Sequence, residues 1–256
     1  MTHPNGQLAG VSEQAQPEAI PLPATVEELA ALLDYPVGPA ILTTEQVAGA
    51  VRLAASLGLA SVSVPAGEAD MAVRLLDGTR TAAAALVGYP YGSSSTAAKL
   101  YEARDLLRRG VREIEFVVNL GKLASREFQY IESELLQISR SCNESGALLK
   151  IVIEAPSIAE DLKVIACKIA KRVEAGMIVV AAYPAAESGP DADLALLKRV
   201  SKEVCGIGGC ASGLDQALGC QQLGCARIRS ASPGDVLAAW KSRLEAAAAS
   251  SAGPAA

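Results

Sequence analysis

The sequence predicts a closed (β/α)8 barrel, and three observations carry that expectation. A cassette recurs along the chain: an amphipathic stretch, a glycine, then a short apolar run of β type. Eight candidate strands alternate with helical patterns, the pattern of a parallel barrel. The chain has 256 residues, which suits one barrel of about 250 residues better than two small domains.

Each cassette follows the same logic. Residues 54–58 precede the run 60–64, and residues 106–110 precede 114–118. Residues 144–146, 173–176 and 221–224 stand likewise before 148–154, 177–183 and 226–228. Glycine suits the left-handed residue that ends a helix because it lacks a Cβ. An apolar run directly after it reads as a strand buried on both faces. The eight strand candidates are 32–34, 61–64, 83–88, 113–119, 148–154, 178–182, 203–208 and 226–230. Helical patterns occupy 97–109, 126–141, 159–174, 191–202 and 214–223, and another begins at Thr43-Thr44 with threonine as N-cap and an early acid. An open doubly wound sheet is the competing architecture. It is disfavoured because no Gly-x-Gly-x-x-Gly loop follows the first strand. The expected organisation is a flexible tail over 1–25, the barrel over 26–244, and a flexible Ala-rich tail over 245–256.

Composition narrows the function classes. Half the residues are hydrophobic, enough for a large core, and the net charge is −5 with no long basic run. A nucleic-acid backbone is therefore not an expected partner. No apolar run approaches the roughly 20 residues that span a bilayer, and the N-terminus lacks the basic-then-apolar order of a secretory signal. A cytoplasmic protein is expected. Of six cysteines, Cys205, Cys210, Cys220 and Cys225 are spaced C-x4-C-x9-C-x4-C. Converging thiolates would make a metal or cluster site. Small buried reduced thiols, with Cys142 and Cys167 among them, are the plainer reading and the expected one. No C-x2-C pair occurs and His3 is the only histidine, so no metal and no cofactor are expected.

Function in a barrel sits at the C-terminal strand ends, so polar residues inside strands carry the information. Alternation puts Glu113, Glu115, Val117 and Asn119 on one face of strand four, and Lys150 and Glu154 on one face of strand five. An acid and a lysine in a barrel interior either exchange protons or neutralise each other. The Gly206-Ile207-Gly208-Gly209 run, read as the end of strand seven, suits backbone approach to an anion or an ordinary tight turn.

Several blocks resemble the deoxyribose-phosphate aldolases. Val87-Gly88-Tyr89-Pro90-Tyr91-Gly92-Ser93-Ser94-Ser95-Thr96, followed by Lys99, is similar to that family's V-I-G-F-P-x-G-x-x-x-T-x-x-K block. Residues 113–121 resemble its E-I-D-x-V-x-N-x-G strand, and 148–154 its L-x-K-V-I-x-E strand. Leu32-Leu33-Asp34 is similar to its L-x-D first strand, and Thr44-Glu45-Gln46-Val47 to the helix start that follows. The likeness runs from about residue 32 to residue 232. It implies a (β/α)8 class I aldolase that cleaves deoxyribose 5-phosphate to glyceraldehyde 3-phosphate and acetaldehyde without a metal. It also implies a Schiff-base lysine on strand six, a second lysine on strand seven that lowers the pKa of the first, and a strand-four aspartate in proton relay.

The chain departs from the family at each of these. Ala181 stands at the position of the Schiff-base lysine in Val179-Val180-Ala181-Ala182-Tyr183-Pro184. Gly206 stands where the strand-seven lysine is expected, and residues 204–209 contain no lysine. Glu115 replaces the aspartate. The phosphate-binding R-I-G-T-S-S-G becomes Arg227-Ile228-Arg229-Ser230-Ala231-Ser232-Pro233, where Arg229 replaces a glycine and either pairs with a phosphate or obstructs it. Removing a catalytic nucleophile commonly costs on the order of 10⁴–10⁶ in rate. The expectation is a non-catalytic or strongly impaired homologue; the alternative is a lyase acting on a sugar phosphate through a different amine or acid–base residue. Lys150 and Glu115 are the candidate catalytic groups, with Lys99 and Lys122 the other lysines expected within or above the barrel. Gly208, Gly209, Arg229 and Ser230 are the candidate phosphate-binding residues, aided by the helix starting near Leu214. The expected partners are a phosphorylated small molecule and, as an open option, further copies of the chain.

Overall fold

The computed structural model describes residues 20–37, 41–154, 158–181, 191–201 and 206–251. Eight parallel strands close a barrel in sequence order: β1 (Leu33–Pro36), β2 (Ser61–Val64), β3 (Ala82–Val87), β4 (Glu113–Val117), β5 (Leu148–Glu154), β6 (Met177–Ala181), β7 (Gly206–Cys210) and β8 (Arg227–Arg229). The seam is the pairing of β1 with β8, which sets Leu33 against Ile228 and Asp34 against Arg229. The open-sheet alternative is thereby excluded.

Around the strands lie α1 (Val26–Ala30), α2 (Thr44–Leu57), α3 (Ala69–Leu75), α4 (Thr96–Arg108), α5 (Leu120–Ala124), α6 (Phe128–Glu144), α7 (Glu160–Arg172), α8 (Asp191–Ser201), α9 (Leu214–Gln222) and α10 (Pro233–Ser251). The expected caps are in place. Thr43 and Gln46 form a reciprocal capping box at the start of α2, and Gly58 ends that helix in the left-handed region. Gly110, Gly146 and Gly224 also take positive φ ahead of their strands, as the cassette predicts. The fourth cassette differs. Glu174 takes the left-handed conformation there, and Gly176 is required for space, because a Cβ on it would run into the Leu148 side chain.

Period-two alternation sorts the side chains. Ile114 and Phe116 of β4, Ile151 and Ile153 of β5, and Ile178 of β6 join the large core between barrel and helices. Val117, Val152, Met177 and Val179 form a separate apolar layer inside the barrel, with Leu86 and Cys210 packed against it. Among the described residues, no helix is long and apolar enough to cross a membrane.

Three boundaries differ from expectation. Strand seven, expected at 203–208, runs from Gly206 to Cys210, and residues 202–205 lie outside the described set. The Ala-rich segment expected as a tail from 245 continues α10 to Ser251, in keeping with the high helix propensity of alanine. The N-terminal segment is described from Ile20, and Gln221 donates from Nε2 to the Pro21 carbonyl at 2.6 Å, so 20–25 are tied to α9.

The loop after β3 is tightly held at the C-terminal end of the barrel. Gly92 donates its N–H to the Gly88 carbonyl at 2.8 Å, and Leu120 donates to the Tyr91 carbonyl at 3.2 Å. Gly92 has φ +63, and a Cβ there would collide with the backbone of Val117 and Val118. Gly146 has the same φ and open space around it. Gly146→Ala is therefore expected to cost about 1–2 kcal/mol from backbone strain alone. Gly92→Ala should cost about 3 kcal/mol or more, because steric overlap with fixed backbone adds to the strain. Urea denaturation of the two variants checks this; equal losses would show that the loop yields freely.

Candidate functional site

The barrel interior is built from six ionisable side chains on four strands. Asp34 comes from β1, Glu113 and Glu115 from β4, Lys150 from β5, and Arg227 and Arg229 from β8. Lys150 is fully buried, with its Nζ 2.7 Å from Asp34 Oδ2 and 2.5 Å from Glu113 Oε2. Glu115 Oε1 stands 4.0 Å from the same nitrogen. Arg227 reaches Asp34 at 3.1 Å and Glu113 at 3.2 Å through its two terminal nitrogens. Arg229 Nη1 lies 2.8 Å from Glu115 Oε1. Two serines of β2 complete the array: Ser61 donates to Asp34 Oδ1 at 2.7 Å, and Ser63 donates to Glu115 Oε2 at 2.8 Å.

Three carboxylates thus face three cations, and each charge has an opposite neighbour. The electrostatics follow. Burial alone would lower the Lys150 pKa, but Asp34, Glu113 and Glu115 reverse this and hold it above the ordinary lysine value. Burial alone would raise the Asp34 pKa, and Lys150 and Arg227 hold it below the ordinary value instead. Lys150 is accordingly an ammonium at neutral pH. It is a poor nucleophile, since only the neutral amine attacks a carbonyl.

Position along the strands matters as much as charge. Val117 follows Glu115 by two residues on β4, and Val152 follows Lys150 by two on β5. Val117 and Val152 therefore lie between the charged cluster and the C-terminal strand ends, whereas Met177, the register partner of Lys150, flanks the cluster from the start of β6. Glu115 and Lys150 each have no exposed surface. The barrel mouth, where substrates of this architecture bind, is separated from both. Ala181 ends β6 in register with Glu154, two residues beyond Val179.

The remaining candidates fall elsewhere. Lys99 does not enter the barrel. It is buried between α4 and α6, donating to Glu134 at 2.7 Å and to the Gly92 carbonyl at 2.8 Å, with its Nζ 4.6 Å from the Phe116 ring centroid. Burial lowers its pKa, and Glu134 only partly offsets that. Lys122 is on the surface, paired with Glu127 at 2.8 Å. Gly208 and Gly209 are not in a turn. They lie within β7, paired to Val179 on one side and to Arg227 and Ile228 on the other. Their missing side chains serve packing: a Cβ on Gly208 would crowd Val179, and one on Gly209 would crowd Cys220. Arg229 turns into the barrel onto Glu115 and not toward the mouth. Ser230 is buried directly after β8, its Oγ accepting from the Ser232 N–H at 3.3 Å. Near Leu214, the first turn of α9 carries Asp215, an unfavourable neighbour for an anion.

Sequence reasoning missed Asp34, Ser61, Ser63 and Arg227 as members of the central cluster. Period two marks them, since Asp34 is a lone acid in an apolar strand and Ser61 and Ser63 share a face. Among the cysteines, Cys205 lies outside the described residues, and Cys142 and Cys167 are buried in helices well apart in the chain. Burial pushes the Cys142 thiol up to about 12. Among the described residues, no group of three or more potential ligands is placed to hold a metal ion.

The cluster makes two expectations. Lys150→Met leaves three buried carboxylates against two guanidiniums and should cost about 3–5 kcal/mol in urea denaturation. Adding Glu113→Gln restores charge balance and should recover part of that loss; no recovery would refute the balance argument. The pH dependence has a fixed sign. The depressed Asp34 pKa contributes stability above about pH 4 that is lost as pH falls through its folded value. The raised Lys150 pKa contributes stability below about pH 10.5 that is lost as pH rises through its folded value. Lys150→Met should flatten the alkaline limb of the stability profile, which thermal melts across pH measure.

Comparison with known proteins places the architecture. No family model matches the chain. The chain is 26% identical over 219 residues to the deoxyribose-phosphate aldolase of Bacteroides thetaiotaomicron, covering 85% of this chain and 92% of that one. It is 31% identical over 152 residues to the deoxyribose-phosphate aldolase of Clostridium kluyveri, covering 59% and 69%. Among solved structures, the tetrameric deoxyribose phosphate aldolase of Aeropyrum pernix matches with a TM-score of 0.75 at 22% identity, covering 86% of this chain and 94% of that one.

Proposed function

Because the chain belongs to the deoxyribose-phosphate aldolase family, we propose that its barrel is an aldolase scaffold without imine chemistry, a non-catalytic or strongly impaired homologue. The family reaction, cleavage of deoxyribose 5-phosphate to glyceraldehyde 3-phosphate and acetaldehyde, needs a neutral amine at the mouth of the barrel. The observation that carries the reading is the separation of Lys150 from that mouth. The barrel lysine is an ion-paired ammonium with no exposed surface, with Val117 and Val152 between it and the strand ends, while alanine stands at the strand-six position.

Two further features support it. Glu115 is engaged by Arg229 and Ser63, so its carboxylate is not open to relay a proton to a bound substrate. Arg229, in place of a glycine, spends its guanidinium on that carboxylate and is withdrawn from any phosphate. Phosphate affinity in this reading falls to the turn that starts at Ser230, and it is weak. A homo-oligomer remains part of the proposal, by likeness to the tetrameric Aeropyrum pernix structure. So does a cytoplasmic location.

The test is borohydride trapping. The protein is incubated with deoxyribose 5-phosphate, reduced with sodium borohydride, and weighed intact. The expected spectrum is that of the unmodified chain, with no acetaldehyde detected by a coupled dehydrogenase. A stoichiometric adduct mapped to one lysine, with turnover that is lost when this lysine is replaced, would overturn the proposal in favour of a lyase using a different amine.

A further inference from the structure

We propose that a cavity at the C-terminal ends of β1, β2 and β3 is a binding site for a small organic cation, a primary ammonium on a short apolar body. The cavity has a volume of about 370 Å³, within the size range of small-molecule sites. It touches the buried charge cluster only through Ser63 and lies away from the β7–β8 side where a phosphate was expected. Its existence does not depend on whether imine chemistry is lost.

The apolar part is explicit. Leu86 projects from β3 beside the interior apolar layer, yet it is only partly buried, because the cavity opens onto it. Pro36, Val37 and Val64 complete this wall from β1 and β2. A chain of a few methylenes meets matching surface there.

The polar part selects the head group. Among the described residues, Glu102 of α4 is the only carboxylate on the lining, and no lysine, arginine or histidine lines the cavity with it. One of its oxygens, Oε2, accepts the Gly88 N–H at 3.0 Å, which fixes the carboxylate against the β3–α4 loop. Its Oε1 takes no hydrogen bond among the described residues. The nearby cation, Lys99, is fully buried and already committed to Glu134 and the Gly92 carbonyl. No ion pair engages Glu102 among the described residues.

On the cavity floor, Ser63 spends its proton on Glu115 at 2.8 Å, so its hydroxyl has no proton left to donate to a ligand. Glu102 presents a charged acceptor, and the Ser94 hydroxyl on the same lining can accept as well, which suits a head that only donates. An alkylammonium has three N–H donors and no acceptor. Tyr89, on the rim and 41% exposed, adds an aromatic surface that favours cations over anions. A phosphate ester in the same place would set its charge beside Glu102 with no cation to oppose it.

Three probes with one four-carbon body test the assignment: butylammonium, 1-butanol and butyl phosphate, titrated at pH 7 and low salt by protein-observed NMR. Butylammonium is expected to bind about tenfold more tightly than 1-butanol, as a charge-assisted hydrogen bond exceeds a neutral one. Butyl phosphate is expected to bind most weakly. Glu102→Gln keeps an acceptor for the Gly88 N–H and should reduce butylammonium to the level of 1-butanol. Leu86→Trp or, should that variant not fold, Ala66→Trp at the rim should abolish binding of all three probes. Butyl phosphate binding as tightly as butylammonium would overturn the proposal. So would an ammonium affinity that survives Glu102→Gln, or the absence of any binding that cavity filling removes.

Discussion

Charge neutrality inside a dry barrel is the constraint on which the rest of this structure depends. Three carboxylates and three cations share a space almost closed to water. An isolated buried charge costs several kcal/mol even after relaxation, and a single unpaired one would threaten the fold. The residues are therefore interdependent. Lys150 is needed by Asp34 and Glu113, Arg227 bridges the same two acids, and Arg229 answers Glu115. The seam of the barrel uses the same pairs: Asp34 and Arg229 are register partners across β1 and β8, so closing the sheet brings the charges together.

This constraint bears directly on chemistry. An aldolase amine has to be neutral, exposed and poised, which requires a nearby cation and a shortage of anions. Lys150 has the reverse surroundings, and Val117 and Val152 stand on the side from which a substrate would approach it. Arg229 and Glu115 change together in this reading. The longer acid and the added guanidinium form an ion pair at 2.8 Å inside the barrel. What the upper end of the barrel retains is a cavity on the opposite side, over β1 to β3, with a different charge character.

Much of this was legible in the residues. The helix–Gly–strand cassette located five of the eight strands closely, because helix ends and buried parallel strands are encoded locally. Strand seven was displaced because Gly206, Gly208 and Gly209 read as turn chemistry, while in the barrel they make room for Met177, Val179 and Cys220. A missing Cβ looks the same in sequence whether it serves a turn or a tight contact. The inward face of β4 and β5 was readable from period two. The partners of those side chains were not, because they come from strands more than a hundred residues away, as Asp34 does for Lys150. Lys99 shows the same limit: its spacing fits a rim lysine, and only the packing of α4 on α6 turns it toward Glu134. Glu102 gave no signal at all, since its role follows from where the β3–α4 loop places Gly88.

The protonation state of Lys150 is the most direct quantity to measure. Its Nζ and Cε resonances, assigned by difference against Lys150→Arg, can be followed from pH 6 to pH 11 by NMR. A side chain that stays an ammonium through the ordinary lysine range near pH 10.4 is the expected result. A titration centred near neutral pH would contradict it, since such a lysine would be a competent nucleophile and the charge cluster would not be the lock inferred from its geometry.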